Sequence, residues 1–158
     1  MEFHARYLIP ILLIGGWFAM LWLLARLSGW TRLAQTFRQD RPIPGQKFHF
    51  VSGNLGLGKY HSLWQRLGSV GFRSILFVTI GDQGFRLSVF APFSAFTPPL
   101  YVPWHSVAAL QQSTGLFGHF TIISLTHIPA WIGLYGAAGR EIVSCFSARP
   151  SAPSGVGR

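Results

Sequence analysis

Residues 75–90 read ILFVTIGDQGFRLSVF, and the fold of the chain turns on this stretch. Ile75–Ile80 is a run of β-branched and aromatic residues, the composition of a strand. Gly81-Asp82-Gln83-Gly84 supplies turn residues. From Phe85 onward apolar and polar residues alternate, with Phe85, Leu87 and Val89 on one face and Arg86 and Ser88 on the other. Successive strand side chains point to opposite faces, so this is a half-buried strand, and the pair makes a β-hairpin.

Working outward, APFSAFTPPL (91–100) has no regular structure, because Pro98-Pro99 cannot donate to a sheet ladder. Leu100–Trp104, LYVPW, resumes as a strand, with Pro103 marking an edge or a bulge. Phe120–Thr126, FTIISLT, and Lys47–Val51, KFHFV, complete a set of five predicted strands. A helix is predicted from about Pro129 to Val143, since Ile128, Ile132, Tyr135 and Ile142 share a stripe and Pro suits a first helical position. Gly133, Gly136 and Gly139 weaken that helix by about 1 kcal/mol each against Ala, or else allow close packing on the sheet. The last residues are Ser, Ala, Pro and Gly, the composition of a disordered tail.

At the other end, Leu8–Ala25 reads LIPILLIGGWFAMLWLLA, without a charge and closed by Arg6 and Arg26. As a helix it is roughly 27 Å long, close to the hydrocarbon thickness of a bilayer. Its length, and an arginine where a signal-peptide cleavage region would lie, favour an uncleaved anchor. Tyr7 and Trp30 bracket it, as amphipathic aromatics do at membrane interfaces. Gly15 and Ala19 are spaced to admit a second helix, although such pairs occur in many spans. Arg26, Arg32, Arg38, Arg41 and Lys47 follow the run, against Arg6 before it. The bias puts the N-terminus outside and the rest in the cytoplasm. Phe120–Gly139 is also uncharged and is a weaker candidate for a second span.

Between anchor and domain, Trp30, Leu33, Ala34 and Phe37 share a helical face, with Ser28 a candidate N-cap. Either this amphipathic helix lies in the interface, apolar side to lipid and basic side to headgroups, or it packs the stripe on its own domain. Arg41-Pro42-Ile43-Pro44-Gly45 ends it. The expected organisation is an anchor over 1–27, a juxtamembrane helix and Pro-rich linker over 28–45, a β-rich domain over 46–144 and a tail over 145–158.

The 13 Lys and Arg against 4 Asp and Glu give a formal charge of +9. The basic residues are scattered, which fits a basic membrane face better than nucleic-acid binding. Charged residues are 11% of the chain and aromatics 15%, with 14 Phe. The lone cysteine, Cys145, rules out an intramolecular disulfide and reads as a small apolar residue.

Chemistry is sparse. Gly53–Lys59 matches G-x-x-x-x-G-K, but Tyr60 stands where a phosphate loop needs a Ser or Thr hydroxyl for Mg²⁺. A glycine-rich loop between strands is the simpler reading. Glu2, Asp40, Asp82 and Glu141 form no acid–base pair in sequence. His4, His49, His61, His105, His119 and His127 lack metal-ligand spacing, though a fold that gathers His105, His119 and His127 would change that. No catalytic, cofactor or metal residues are expected.

Three stretches together carry a resemblance. Gly29, Trp30, Leu33 and Ala34 lie beside the anchor; Gly84, Leu87 and Ser88 lie in the hairpin; Pro103 and Trp104 close a strand. They resemble small uncharacterised bacterial inner-membrane proteins with one N-terminal anchor, over about half of the chain. The hairpin and Pro-Trp strand are also similar to PH-like and GRAM-like domains, folds of about seven strands and a C-terminal helix. The resemblance implies architecture and location, and no activity.

The expected molecule is therefore a membrane-anchored α+β protein. It has one N-terminal transmembrane helix, then a small antiparallel β domain of PH-like type with a C-terminal helix. Its expected role is binding or scaffolding at the inner face of a bacterial membrane, with membrane lipids and another membrane protein as partners. Arg26, Arg32, Arg38 and Arg41 are the candidate lipid-surface residues, and Trp30 and Phe37 the candidates for insertion. The alternatives are an accessory subunit or enzyme acting on a membrane substrate, and a two-span integral protein.

Overall fold

The alternation over Phe85–Val89 is realised in the fold: all three apolar residues are buried, while Arg86 and Ser88 are half-buried on the other face. In this computed structural model, which describes residues 2–58, 70–115 and 118–149, the hairpin closes through the pair Gly81 and Gly84, leaving Asp82-Gln83 as its turn. The elements in chain order are α1 (Glu2–Leu27), α2 (Trp30–Phe37), β1 (Gln46–Leu57), β2 (Val70–Gly81), β3 (Gly84–Val89) and β4 (Leu100–Pro103). A 3-10 turn (Trp104–Ser106), β5 (Val107–Gly115), β6 (Gly118–Leu125), β7 (Ala130–Tyr135) and α3 (Ala137–Ser147) follow.

The seven strands among the described residues form one antiparallel sheet with the order β4-β3-β2-β1-β7-β6-β5. The sheet curls around a single main core. Leu76, Val78, Phe85 and Leu87 from one half meet Ile123, Ile132 and Leu134 from the other, with Ile142 of α3 among them. Trp104, just past β4, closes this core. Its indole N–H donates to the Gly81 carbonyl at 3.1 Å. Its ring lies 5.6 Å from Phe85 and 6.3 Å from Phe146 of α3.

Two strands were not foreseen. Ala130–Tyr135 is β7, not the start of a helix, and the C-terminal helix begins only at Ala137. The five residues from Ala130 to Leu134 are all buried. Ile132 faces the main core, while Trp131 joins Phe120 and Ile122 on the opposite side of the sheet. A strand buried on both faces loses its alternation, and its periodicity cannot be told from a helix. β5, VAALQQSTG, is an edge strand with a largely exposed, polar sequence and so carries no apolar pattern. With β6 and β7 in the sheet, Phe120–Gly139 forms no membrane-spanning helix. The helix α3 takes in Cys145, Phe146 and Ser147 from the tail expected over 145–158; residues 150–158 lie outside the described residues.

The glycine-rich stretch is the second half of β1. Gly53 lies between Phe72 of β2 and Leu134 of β7. A Cβ there would stand 2.7 Å from the Gly133 carbonyl and 2.8 Å from the Leu76 side chain. At Gly56 the space is filled by the Trp131 indole. These glycines serve close packing within the sheet rather than a phosphate cradle. Lys59 and Tyr60 lie outside the described residues.

The helix α2 packs its stripe on the domain. Trp30, Leu33 and Phe37 are buried members of the main core. The Trp30 ring lies 5.4 Å from Phe72, and its N–H donates to the Pro98 carbonyl at 2.8 Å. The break between α1 and α2 falls at Gly29, with φ 77. That left-handed conformation suits glycine, and a side chain there would also strike Leu57. Gly29, not Ser28, is the N-cap. The Ser28 hydroxyl nonetheless accepts the Trp30 N–H at 3.3 Å and donates to the Ala25 carbonyl at 3.2 Å.

Candidate functional site

Helix α1 contains the one segment among the described residues that is long and apolar enough to cross a membrane, Ile9–Leu27, with mean hydropathy 1.8. Ile11, Leu12, Leu13, Ile14, Leu23 and Leu27 are exposed around its circumference. Protein covers only a narrow strip toward its C-terminal end, where Leu21 and Ala25, four residues apart, are buried. One turn before Leu21, Trp17 faces Phe93 at 5.5 Å, and Phe18 faces Phe96 at 6.3 Å, edge to face.

Phe93 and Phe96 belong to the connection between β3 and β4. It begins at Phe90, which is 40% exposed, and carries a second exposed ring at Phe96, 38% exposed. Phe90 in turn meets Phe50 at 5.9 Å and Phe77 at 5.8 Å, and Phe50 lies 5.6 Å from Phe77. Phe50 is 59% exposed and holds φ 55, inside a bulge of β1. Ser74, at φ 52, is strained in the facing irregularity of β2, where its N–H donates to the Ser52 hydroxyl at 3.0 Å. A left-handed backbone at a bulky L residue costs roughly 1–2 kcal/mol. At Phe50 this conformation goes with a large apolar ring left mostly in solvent. Phe50, Phe77 and Phe90 thus form an aromatic shelf on the β1–β3 surface, and from Phe90 the chain runs on to Phe93 and Phe96 on the flank of α1. The shelf lies at the opposite end of β3 from the Asp82-Gln83 turn.

The candidate lipid-surface residues divide. Arg26, Arg32, Arg38 and Arg41 are exposed. Arg26 stacks over the Trp22 ring at 4.9 Å, and Arg38 pairs with Asp40 at 3.4 Å. Trp30 and Phe37 are buried in the domain, so inserting their rings in lipid would require unpacking the core. Sequence reasoning missed the shelf, yet a signal was there. No charge occurs from Leu87 to Trp104, and Phe90, Phe93 and Phe96 recur every third residue.

A concavity of about 360 Å³ is lined by Arg38, Gln39, Tyr101, His105 and His127, among others. It brings together two of the three histidines a catalytic or metal site would have needed. His119 lies elsewhere, with its ring nitrogen 3.4 Å from the Thr114 hydroxyl. Among the described residues no carboxylate lines this cleft. Among the described residues no three His, Cys, Asp or Glu side chains come together to hold a metal. Cys145 is half-buried on α3, and its thiol donates to the Glu141 carboxylate at 3.6 Å. Burial first, and then the adjacent Glu141, push this thiol above its ordinary pKa, the reverse of an activated nucleophile.

Compared with known protein families, curated proteins and solved structures, the chain has no match.

Proposed function

We propose that this chain is a single-pass, membrane-tethered binding or scaffolding protein. In this reading α1 is the anchor, the β domain is PH-like, and the domain works at the inner face of a bacterial membrane. The observation that carries the reading is α1 itself. Its apolar surface is open on nearly all sides, and a helix with that surface needs lipid around it. Docking of Leu21, Ala25, Trp17 and Phe18 against the domain favours a retained anchor over a cleaved leader, because cleavage would strip a packed face. Seven antiparallel strands with a C-terminal helix fit the element inventory of PH-like domains. The Lys/Arg excess after the span supports a cytoplasmic domain. The four exposed arginines then meet anionic headgroups, at about 1 kcal/mol each near the surface.

Partners in this reading are anionic lipid and another membrane protein. The cleft with His105 and His127 does not favour an enzyme, since neither imidazole has a carboxylate there to orient it. The test is crosslinking of the full chain in its native membrane, beside a variant with Arg26, Arg32, Arg38 and Arg41 replaced by Gln. A discrete adduct with lipid or a membrane protein that the variant loses is the expected result. Recovery of uncrosslinked chain alone refutes a binding role.

A further inference from the structure

We infer that the loop from Phe90 to Pro99 is a second membrane insertion, one that enters the bilayer without crossing it, in the same leaflet as the C-terminal half of α1. The inference rests on α1 being a membrane anchor and goes beyond it. The first ground is position. Phe93 and Phe96 touch α1 at Trp17 and Phe18, which lie in the middle of the apolar segment Ile9–Leu27. Ten residues at 1.5 Å rise separate Trp17 from Leu27, so the loop climbs about 15 Å along the helix, roughly half of a 30 Å hydrocarbon core. A helix embedded to that extent carries the loop into lipid with it.

The second ground is chemistry. The loop has no charged residue, and its most exposed side chains include Ala91, Pro92, Ala95 and Phe96. Irregular backbone survives at membrane depth only when its polar groups are satisfied or covered. Here Pro92, Pro98 and Pro99 have no N–H to satisfy and the Phe90, Phe93 and Thr97 N–H groups are paired within the protein, which leaves the Ala91, Ser94, Ala95 and Phe96 N–H groups without a backbone partner among the described residues. The Phe93 N–H donates to the Phe90 carbonyl at 2.9 Å, and the Thr97 N–H to the Ser94 carbonyl at 3.1 Å. The Thr97 hydroxyl donates to the Phe93 carbonyl at 3.3 Å. At the base of the loop, the Pro98 carbonyl takes the Trp30 indole and the Pro99 carbonyl takes the Gln39 N–H at 3.1 Å. The flank toward α1 is covered by the helix. Apart from the half-exposed Ser94, the open side chains Ala91, Pro92, Ala95 and Phe96 are apolar, and Phe96 adjoins the lipid-facing flank of α1, so the occupant is lipid rather than a protein partner.

The experiment uses the full chain with Cys145→Ser, carrying a single new cysteine and reconstituted in phosphatidylcholine–phosphatidylglycerol vesicles. Ala95→Cys reports on the loop tip, Ala91→Cys is a second reporter on the same loop, Leu13→Cys marks α1, and Gln83→Cys marks the far turn. Each is labelled with an environment-sensitive fluorophore, and brominated lipid is the quencher. The loop reporters should be quenched with Leu13→Cys, and before labelling should react with a membrane-impermeant maleimide at least about tenfold more slowly than Gln83→Cys. If Leu13→Cys is quenched while both loop reporters behave like Gln83→Cys, the loop insertion is wrong and the anchor stands. If Leu13→Cys is not quenched, the anchor reading itself fails.

Discussion

Replacing Trp30 with Ala separates the two places that an amphipathic helix after an anchor can occupy. Trp30 is fully buried, packs on Phe72, and satisfies the Pro98 carbonyl. Truncating a buried aromatic to Ala costs about 3–5 kcal/mol. The Pro98 carbonyl also loses its donor, worth about 1 kcal/mol, although the two losses overlap and do not simply add. An expected loss of about 4 kcal/mol is a large share of the 5–15 kcal/mol typical of a domain. With a urea dependence of about 2 kcal/mol per molar, the midpoint falls by about 2 M. The assay is urea-dependent proteolysis of the full chain in nanodiscs, read by loss of the domain band. Trp30→Phe keeps most of the ring, loses the N–H, and should fall between the two. A midpoint within about 0.3 M of the parent for Trp30→Ala, the size of an ordinary surface substitution, would mean that α2 does not pack on the domain.

Other outcomes follow from the same packing and charge. Gly53→Ala should lower stability by about 1–3 kcal/mol, because the added methyl meets the Gly133 backbone and Leu76; the same proteolysis assay reads it, and an unchanged midpoint contradicts the close approach of β1 and β7. Glu141→Gln should lower the pKa of Cys145, since it removes a negative charge from beside the thiolate. Iodoacetamide labelling of Cys145 near neutral pH then speeds up, and unchanged labelling removes Glu141 as a cause. Replacing Arg26, Arg32, Arg38 and Arg41 with Gln should weaken crosslinking of the domain to anionic headgroup probes while leaving domain stability within about 0.5 kcal/mol of the parent. Equal crosslinking would remove the lipid role of those arginines.

The sequence made the hairpin legible because its strands face the core on one side and are more polar on the other, so alternation survives in Phe85–Val89. The apolar helix was legible from length and charge alone. β7 was not, because Ala130–Leu134 is buried on both sides and offers no period. β5 was not, because an exposed edge strand needs no apolar face. For α2 the stripe was legible but its destination was not, since Trp30, Leu33 and Phe37 look the same against lipid or a protein core. Partners distant in the chain place Trp30 on the domain: Phe72 against its ring, and the Pro98 carbonyl, 68 residues away, on its N–H. The aromatic shelf was hidden in another way. Phe50 comes from β1, Phe77 from β2 and Phe90 from the connection after β3, and only the fold brings the three together.

Function at a membrane requires that α1 stay attached and embedded. Intact-mass analysis of the chain recovered from alkaline-washed membranes tests this directly. A mass that includes residues 9–27, found in the detergent-extracted fraction, is the predicted result. A mature chain that begins after Leu27, or an intact chain released by the alkaline wash, would contradict it.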